Sequence, residues 1–281
     1  MKRFHLHLVS DSTGETNASV ARACLAQFDG ADPIEHVWSM IRSDRQAAKA
    51  IAGIVANPGI VVFTLVDDAI RRQLVDACRE RGLPCVSVLD PVLAAFADFL
   101  HAEAGHRPGR QHVLDADYFA RIAAMDFAMS HDDGQSLIDL GHADVVLVGV
   151  SRSSKTPTCI YLANRGVKAA NVPLVPGVKP PAELDELPLF TAGGPLIVGL
   201  TNDPASLVQV RRNRLRMLNE LRETDYTDPE SVKAEVVASR RLFVERGWPV
   251  LETSRRSIEE TAAAIMSLLA ERGPGPGAAP A

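Results

Sequence analysis

The segment GVSRSSKT, residues 149–156, has the residue types and the order of a phosphate-binding loop. The pattern for such a loop is a glycine, four residues, a second glycine, a lysine, and a serine or threonine. Gly149, Lys155 and Thr156 match this pattern, and Ser154 replaces the second glycine. A strand followed by such a loop and a helix directs backbone N–H groups at a bound phosphate, and the strand-like run DVVLV precedes the segment. The sequence therefore predicts nucleotide binding here.

Each polar side chain of this loop has an expected role. Lys155 is predicted to contact the phosphates and to act in catalysis, and the Thr156 hydroxyl to contact Mg²⁺. The Cβ of Ser154 predicts an altered backbone at the tightest point of the loop. A hydroxyl-rich helix cap is the alternative, because Ser, Thr and then Pro157 also start helices for local reasons. The preceding strand, and the position of Lys155 relative to Gly149, favour nucleotide binding over a simple helix cap. The predicted nucleotide-binding residues are Gly149, Val150, Ser151, Arg152, Ser153, Ser154, Lys155 and Thr156.

The segment HDDG contains the candidates for proton transfer, His131, Asp132 and Asp133. Phosphoryl transfer to a hydroxyl takes a general base and the reverse reaction takes an acid, so one residue can serve both directions. Adjacent carboxylates raise the pKa of one member, and a carboxylate can alternatively hold Mg²⁺. The alternative is a helix-ending turn with solvated acids and a terminal Gly134.

Two further segments have residues suited to anions. SDSTGET follows a strand-like run and precedes a helix, so it is a candidate second anion site, although helix capping explains it equally well. Arg211 and Arg214 lie on one predicted helix and could neutralise a transferring phosphoryl group, whereas a solvated basic face is the alternative. The predicted residues of the second anion site are Ser10, Asp11, Ser12, Thr13, Gly14 and Thr16.

Short apolar runs alternate with helix-like stretches along the chain, which predicts an α/β fold with parallel sheets. Strands are expected at 4–9, 35–41, 60–65, 84–88, 144–148, 170–175, 196–200 and 249–251. The predicted organisation is an N-terminal α/β domain (1–104), a linker and helical segment that includes HDDG (105–140), a P-loop kinase-like α/β domain with a parallel sheet (141–272) and a disordered tail (273–281).

Composition narrows the classes of function. The formal net charge of −5 provides no general attraction to nucleic acid or to an anionic membrane. The four cysteines form no CxxC pair, which predicts reduced thiols and a cytoplasmic protein. No segment approaches the ~20 apolar residues of a membrane span. A homodimer is a further hypothesis for the assembly of the protein.

Five ordered blocks of the sequence resemble one family, the regulatory proteins of pyruvate, phosphate dikinase. A sister group regulates phosphoenolpyruvate synthase, and SSKT and SDSTGET are more similar to the dikinase group. The blocks, which span nearly the whole chain, are HLVSDSTGET (7–16), ARIAAMDFAMSHDDG (120–134), GVSRSSKTPT (149–158), YLANRGVKAANVPLVP (161–176) and GLTNDPASLVQVRRNRL (199–215).

The resemblance implies a bifunctional enzyme. ADP-dependent phosphorylation of a dikinase threonine would inactivate the target, and phosphate-dependent removal of the phosphoryl group, with release of pyrophosphate, would reactivate it. ADP, phosphate, pyrophosphate and the dikinase are then the implied partners. Mg²⁺ is the cofactor expected from the loop pattern, through Thr156. Both directions handle a diphosphate, so one phosphate-binding loop can serve both.

Three alternatives stay open. The first is the same chemistry on phosphoenolpyruvate synthase. The second is a small-molecule P-loop kinase, because the segment WPVLETSRRSIEETAAAIMSLL (248–269) resembles the last strand and helix of such kinases. The third is a nucleotide sensor without turnover.

Overall fold

The protein is an α/β protein with two compact units, Met1–Val113 and Leu114–Ala281. A computed structural model describes residues 2–105, 116–188, 193–218 and 225–271. Each unit contains one four-stranded parallel sheet. The predicted α/β class, with a parallel sheet in the second unit, is confirmed. The helix predicted within residues 105–140 belongs to the second unit.

The first unit arranges its sheet in the order β2-β1-β3-β4. The first strand of the unit is therefore central, and the chain adds strands on both sides of it. The strands are β1 (Lys2–Ser10), β2 (Ala31–Trp38), β3 (Gly59–Thr64) and β4 (Cys85–Ser87). The helices are α1 (Glu15–Leu25), α2 (Asp44–Ala56), α3 (Asp68–Arg79) and α4 (Asp90–Leu100).

The second unit repeats this plan in the order β6-β5-β7-β8. Its strands are β5 (Val145–Val150), β6 (Ala169–Leu174), β7 (Leu196–Thr201) and β8 (Val250–Glu252). Its helices are α5 (Ala116–Ser130), α6 (Lys155–Ala163), α7 (Glu183–Glu186), α8 (Pro204–Met217), α9 (Pro229–Glu245) and α10 (Ile258–Glu271). Short 3₁₀ turns lie at Asp132–Gly134 and Leu140–His142.

Strand β5 is buried along its whole length, which explains its run of valines. Leu147 packs in a core with α5, α6 and α10, and Val148 packs on the opposite face with Phe243 of α9. Full burial of such a side chain contributes about 1.5–3 kcal/mol. The carboxyl end of β5 is consequently held firmly from both faces, and the loop that follows starts from a rigid point.

The predicted strand positions agree with the structure except at β2. The expected strand 35–41 begins four residues later and ends three residues later than β2 (Ala31–Trp38). Strand β2 lies at the sheet edge, where exposed Asp32 and Glu35 alternate with partly buried residues, so its apolar signal is weak. The predicted tail (273–281) lies outside the described residues, and so do residues 106–115 of the predicted linker and helical segment.

No helix in the described part of the chain is both long enough and apolar enough to cross a lipid bilayer.

Candidate functional site

The phosphate loop, residues 149–156, connects the carboxyl end of β5 to the first turn of α6. Arg152 and Ser154 both adopt left-handed backbone conformations, with φ of 71° and 65°. Left-handed residues within such a turn are typical of anion-binding concavities built from backbone N–H groups. Ser154 thus takes the conformation for which glycine is preferred, so the serine is strained rather than accommodated by a different backbone.

Gly149 is required by packing and not by its backbone angles. A Cβ at this position would lie 2.5 Å from the Leu200 carbonyl oxygen of β7 and 2.8 Å from Ser153 Oγ. Both distances are shorter than any real Cβ contact, so a larger residue would push β7 or the loop away. The first glycine of the loop therefore allows β7 to approach the point where the loop starts.

Lys155 is nearly buried beneath the loop, with 5% of its surface exposed. Its Nζ donates a hydrogen bond of 2.9 Å to the Val150 carbonyl oxygen, which also accepts one of 2.9 Å from Ser153 Oγ. Burial lowers the pKa of Lys155 to about 8, and the nearby charges of Asp133 and Asp132 oppose that shift. The lysine is thus a desolvated cation between the loop and the two carboxylates, as an electrostatic ligand of phosphate requires.

The HDDG turn, residues 131–134, follows α5 and brings its carboxylates to the N-terminus of α6. Asp133 and Gly134 have φ of 49° and 71°, and these two left-handed residues reverse the chain. Thr156 Oγ1 donates a hydrogen bond of 3.0 Å to Asp132 Oδ1. The structure therefore brings together Lys155, Thr156 and the two aspartates, which are 22 or more residues apart in sequence.

Asn171 of β6 joins this group, although the sequence analysis did not single it out. Its Nδ2 lies 2.7 Å from Asp132 Oδ1, 3.1 Å from Asp133 Oδ1 and 3.0 Å from Thr156 Oγ1. The signal that could have identified it is a polar residue in the middle of the otherwise apolar strand AANVPL. A buried amide in such a strand needs partners, and the HDDG turn supplies them.

His131 occupies a structural position. Its ring stacks on Phe127 at 3.9 Å between centroids, and its Nδ1 contacts the Phe127 carbonyl oxygen at 2.9 Å and Ser130 Oγ at 3.0 Å. The side chain is 5% exposed, and its Nε2 is buried with no hydrogen-bond partner among the described residues. These contacts fix the end of α5, and they argue against the predicted role of His131 in proton transfer.

Arg211 also differs from its expected role. It is 1% exposed and forms a 2.7 Å ion pair with Glu235 Oε2, while its guanidinium lies 4.5 Å from the centre of the Tyr226 ring. Its NH2 group donates to the Ser151 carbonyl oxygen at 3.2 Å. The guanidinium therefore anchors the backbone of the phosphate loop from behind, which argues against direct contact with a phosphoryl group. Arg214 is exposed on α8.

In the first unit, the segment 10–16 lies at the carboxyl end of the central strand β1. Ser10, Asp11 and Ser12 are buried, and Ser10 Oγ accepts a 3.0 Å hydrogen bond from Thr64 Oγ1. Asp11 Oδ2 accepts from the Val66 N–H at 2.9 Å, and burial raises the pKa of Asp11. Helix α1 begins after Gly14 without a side-chain cap. Its first N–H groups therefore lack the side-chain acceptor that the capping alternative requires.

The oxygen atoms around Thr156 fit Mg²⁺ by type. Mg²⁺ prefers hard oxygen ligands and usually takes only one or two carboxylates from the protein, completing its shell with water and substrate phosphates. The Thr156 hydroxyl and the Asp132 carboxylate, 3.0 Å apart, match this donor set. Over the residues that the structure describes, no cluster of three or more His, Cys, Asp or Glu side chains could hold a metal without a substrate.

This arrangement has the parts needed for phosphoryl transfer. A loop and a buried cation can hold a phosphate chain, a threonine and an aspartate can hold a divalent ion, and a second aspartate stays exposed for proton transfer. The loop follows the carboxyl end of β5, where ligands bind in open parallel sheets, and the carboxylate turn contacts both the start of α6 and strand β6.

A family model and several similar proteins relate this chain to the same family. The family model described as kinase/pyrophosphorylase matches residues 6–266. A protein of Paramagnetospirillum magneticum is 59% identical over 95% of this chain and 85% of its own length. Proteins of Caulobacter vibrioides and Rhodospirillum rubrum are each 54% identical, over 95% and 96% of this chain and 83% and 96% of their own lengths. All three have the provisional name pyruvate, phosphate dikinase regulatory protein.

Proposed function

Because the chain belongs to the kinase/pyrophosphorylase family, we propose that it regulates pyruvate, phosphate dikinase by adding and removing one phosphoryl group. It transfers the β-phosphoryl group of ADP to a dikinase threonine, and it removes that group with inorganic phosphate. The observation that carries this proposal is the hydrogen bond between Thr156 and Asp132, because it joins the phosphate loop to the carboxylate pair in one site.

In the kinase direction, the threonine hydroxyl oxygen attacks the β-phosphorus of ADP. The bond from that phosphorus to the bridging oxygen breaks, AMP leaves, and the hydroxyl proton passes to a carboxylate. In the phosphorylase direction, an oxygen of inorganic phosphate attacks the phosphothreonine phosphorus. The threonine oxygen leaves with a proton from the same carboxyl group, and pyrophosphate is released. Lys155 neutralises phosphoryl oxygens in both directions.

The contacts of the two aspartates support a division of their roles. Asp132 Oδ1 already accepts from Thr156 and Asn171, so this carboxylate is directed at the loop and at the position suited to Mg²⁺. Bound there with Thr156, the ion would neutralise charge on the phosphate chain. Asp133 accepts from Asn171 through one oxygen and is exposed, so a protein substrate can reach it. We therefore assign proton transfer to Asp133.

The exposed Arg214 of α8 remains our proposed contact to the phosphoryl group. Segment 10–16 remains our proposed second anion site, supported by the uncapped start of α1.

We also propose that the protein forms a homodimer through the first unit. A groove of about 990 Å³ on its sheet is lined by Phe4, Leu6 and Ile60, and helix α4 exposes Phe96 and Phe99. A unit that presents both an apolar groove and an apolar helix can pair with itself about a two-fold axis. Light scattering coupled to size-exclusion chromatography should give a dimer mass for the wild type and a monomer mass for Phe99→Glu.

Mass spectrometry of purified dikinase tests the main proposal. The dikinase is incubated with this protein and ADP, ATP or no nucleotide, and the phosphorylated product is then incubated with inorganic phosphate. We expect a phosphothreonine with ADP, AMP as product, and loss of the group with release of pyrophosphate. Nucleotide consumption without a dikinase would indicate a small-molecule kinase, and nucleotide binding without any turnover would indicate a sensor. Either result contradicts the proposal.

A further inference from the structure

Asn171 is a buried polar residue for which the proposed reactions give no direct role. It lies in β6 beside Leu147 of the central strand β5, and 1% of its surface is exposed. The neighbouring β6 residues Ala170 and Val172 point into the apolar core on the other face of the sheet. A buried amide is unfavourable unless hydrogen bonds replace those it makes with water, so its partners indicate its role.

The partners of the Asn171 side chain all belong to the candidate site. The amide nitrogen has two hydrogens and lies near three oxygens, those of Asp132, Asp133 and Thr156. The Thr156 hydroxyl directs its own hydrogen to Asp132 Oδ1. The two amide hydrogens are therefore available for the two carboxylates, and Asn171 is a shared donor between neighbouring negative groups that would otherwise repel each other.

The orientation of the amide is determined by the carboxylates. With the amide turned over, its oxygen would face two carboxylate oxygens, and no hydrogen would lie between them. In the observed orientation Asn171 Oδ1 is buried and has no partner among the described residues. The amide therefore directs both N–H groups to the carboxylates although its oxygen has no hydrogen bond. Its orientation is set by the candidate site and not by the packing of the strand.

The main chain of Asn171 contacts the same turn. Its N–H group donates a 2.9 Å hydrogen bond to the His131 carbonyl oxygen. Strand β6 therefore holds the HDDG turn at two points, one through the backbone and one through the side chain. Replacing the side chain leaves the backbone hydrogen bond in place, so the effect of the amide can be measured separately.

We infer that Asn171 is a positioning residue that holds Asp132 and Asp133 in fixed orientations against Thr156. The inference rests on the proposed function, because it gives Asp133 the proton transfer in both directions. Asn171 does not touch the reacting atoms. It fixes the direction of the carboxylates, and a misplacement of about 1 Å in a reacting group can lower a rate by about 10²-fold.

A double-mutant cycle tests this role. Asn171→Leu keeps the volume and removes the donor, and both reaction rates should fall on the order of 10- to 100-fold. The dissociation constant for ADP should change less than about twofold, because Lys155 and the backbone N–H groups of the phosphate loop are untouched and only the contact to the Thr156 hydroxyl is lost. In an Asp133→Asn background, adding Asn171→Leu should lower the rates little further, since groups that act as a unit are not additive.

Thr261→Val is the matched control. Thr261 is 1% exposed and donates to the carbonyl oxygen of Ser257, the residue before α10, so the variant loses a buried hydrogen bond in the same unit. Its rates should remain those of the wild type. If Asn171→Leu does not fold, Asn171→Ala removes the donor without adding bulk or charge, and should show the same rate loss. Full additivity with Asp133→Asn, or wild-type rates in both Asn171 variants, would overturn the inference.

Nuclear magnetic resonance of the side-chain amide gives a test without turnover. The two Asn171 amide protons should be protected from solvent exchange, and Asp132→Asn and Asp133→Asn should each shift mainly one of the two signals. Rapid exchange of both protons in the wild type would overturn the inference. If the wild type has no activity on the dikinase, the proposed function fails, whereas the amide signals still decide the role of Asn171.

Discussion

At the scale of single residues, Lys155 should stabilise the negative charge of the phosphates in both proposed reactions. ADP and pyrophosphate would occupy the same loop, so Lys155→Met should lower the kinase and the phosphorylase rates together. Loss of one charged contact to the transition state costs on the order of 10²–10³ in rate. The measurement is the initial rate of each reaction, with thermal unfolding as the control for folding. An effect on only one reaction would require two phosphate sites, and segment 10–16 would be the first candidate.

The two aspartates should respond differently to the loss of charge. Asp133→Asn removes the proposed acid and base, and both rates should fall about 10²- to 10⁴-fold with little change in affinity for ADP. Asp132→Asn should in addition raise the Mg²⁺ concentration needed for half-maximal rate, because Asp132 contacts Thr156. Rates measured over a Mg²⁺ series compare the two variants. Full activity in both would remove the HDDG turn from the chemistry.

At the scale of elements, the phosphate loop contains a strained serine. A left-handed conformation costs a residue with a Cβ about 1–2 kcal/mol, and glycine avoids this cost but loses more entropy on folding. Ser154→Gly should therefore stabilise the second unit by up to about 1 kcal/mol. Urea unfolding followed by the fluorescence of Trp248, in a Trp38→Phe background, measures the change. A lower unfolding midpoint would show that the serine side chain contributes contacts that outweigh the strain.

Strand β1 contains a histidine that the fold keeps neutral. His7 is fully buried, with its Nε2 2.7 Å from the Asn57 carbonyl oxygen and its Nδ1 3.2 Å from Trp38 Nε1. One partner accepts and the other donates, so the neutral ring satisfies both, whereas a protonated ring would set two N–H groups against each other. Burial lowers the pKa of His7, and the nearby rings of His36 and His5 lower it further.

The sign of the resulting pH dependence follows from that lowered pKa. The unfolded chain binds more protons than the folded one below the ordinary pKa of about 6.5. The contribution of neutral His7 to the free energy of unfolding is complete above that pH. It is lost as the pH falls through the pKa that His7 has in the folded protein. His7→Phe should lower stability near neutral pH and weaken its decline towards about pH 5. Trp38 fluorescence in a Trp248→Phe background reports this unit, and an unchanged slope would contradict the assignment.

Local sequence patterns predict individual strands, loops and turns well, but they do not predict which of these elements contact each other. The valine run of β5, the offset of Lys155 and the HDDG sequence are local, so the sequence predicts the central strand, the loop and the carboxylate turn. The roles of Asn171 and Arg211 depend on which elements become neighbours. Nothing local to β6 shows that Asn171 meets a turn 38 or 39 residues away, or that Arg211 pairs with Glu235. For the same reason His131 is a reasonable candidate in sequence and a packing residue in the structure.

At the scale of the whole molecule, the choice of target is the main open prediction. The resemblance of SSKT and SDSTGET to the dikinase-directed group predicts dikinase as the preferred target. We expect faster phosphorylation of the dikinase than of phosphoenolpyruvate synthase under matched conditions. Competition between both targets in one reaction, followed by mass spectrometry of each, measures the preference. Equal or reversed rates would contradict it.

The position of the first strand in each sheet has a consequence for the order in which the nascent chain folds. Strands β1 and β5 are made first in their units and become central, so neither sheet can be completed until later strands leave the ribosome. All strands of the first unit are made before residue 113, and the phosphate loop follows more than 30 residues later. Ribosomes add about 5–20 residues per second, and domains fold as units from the N-terminus. About 2–7 seconds therefore pass between the synthesis of the end of the first unit and the synthesis of the loop at residues 149–156, and the first unit can begin to fold in that interval.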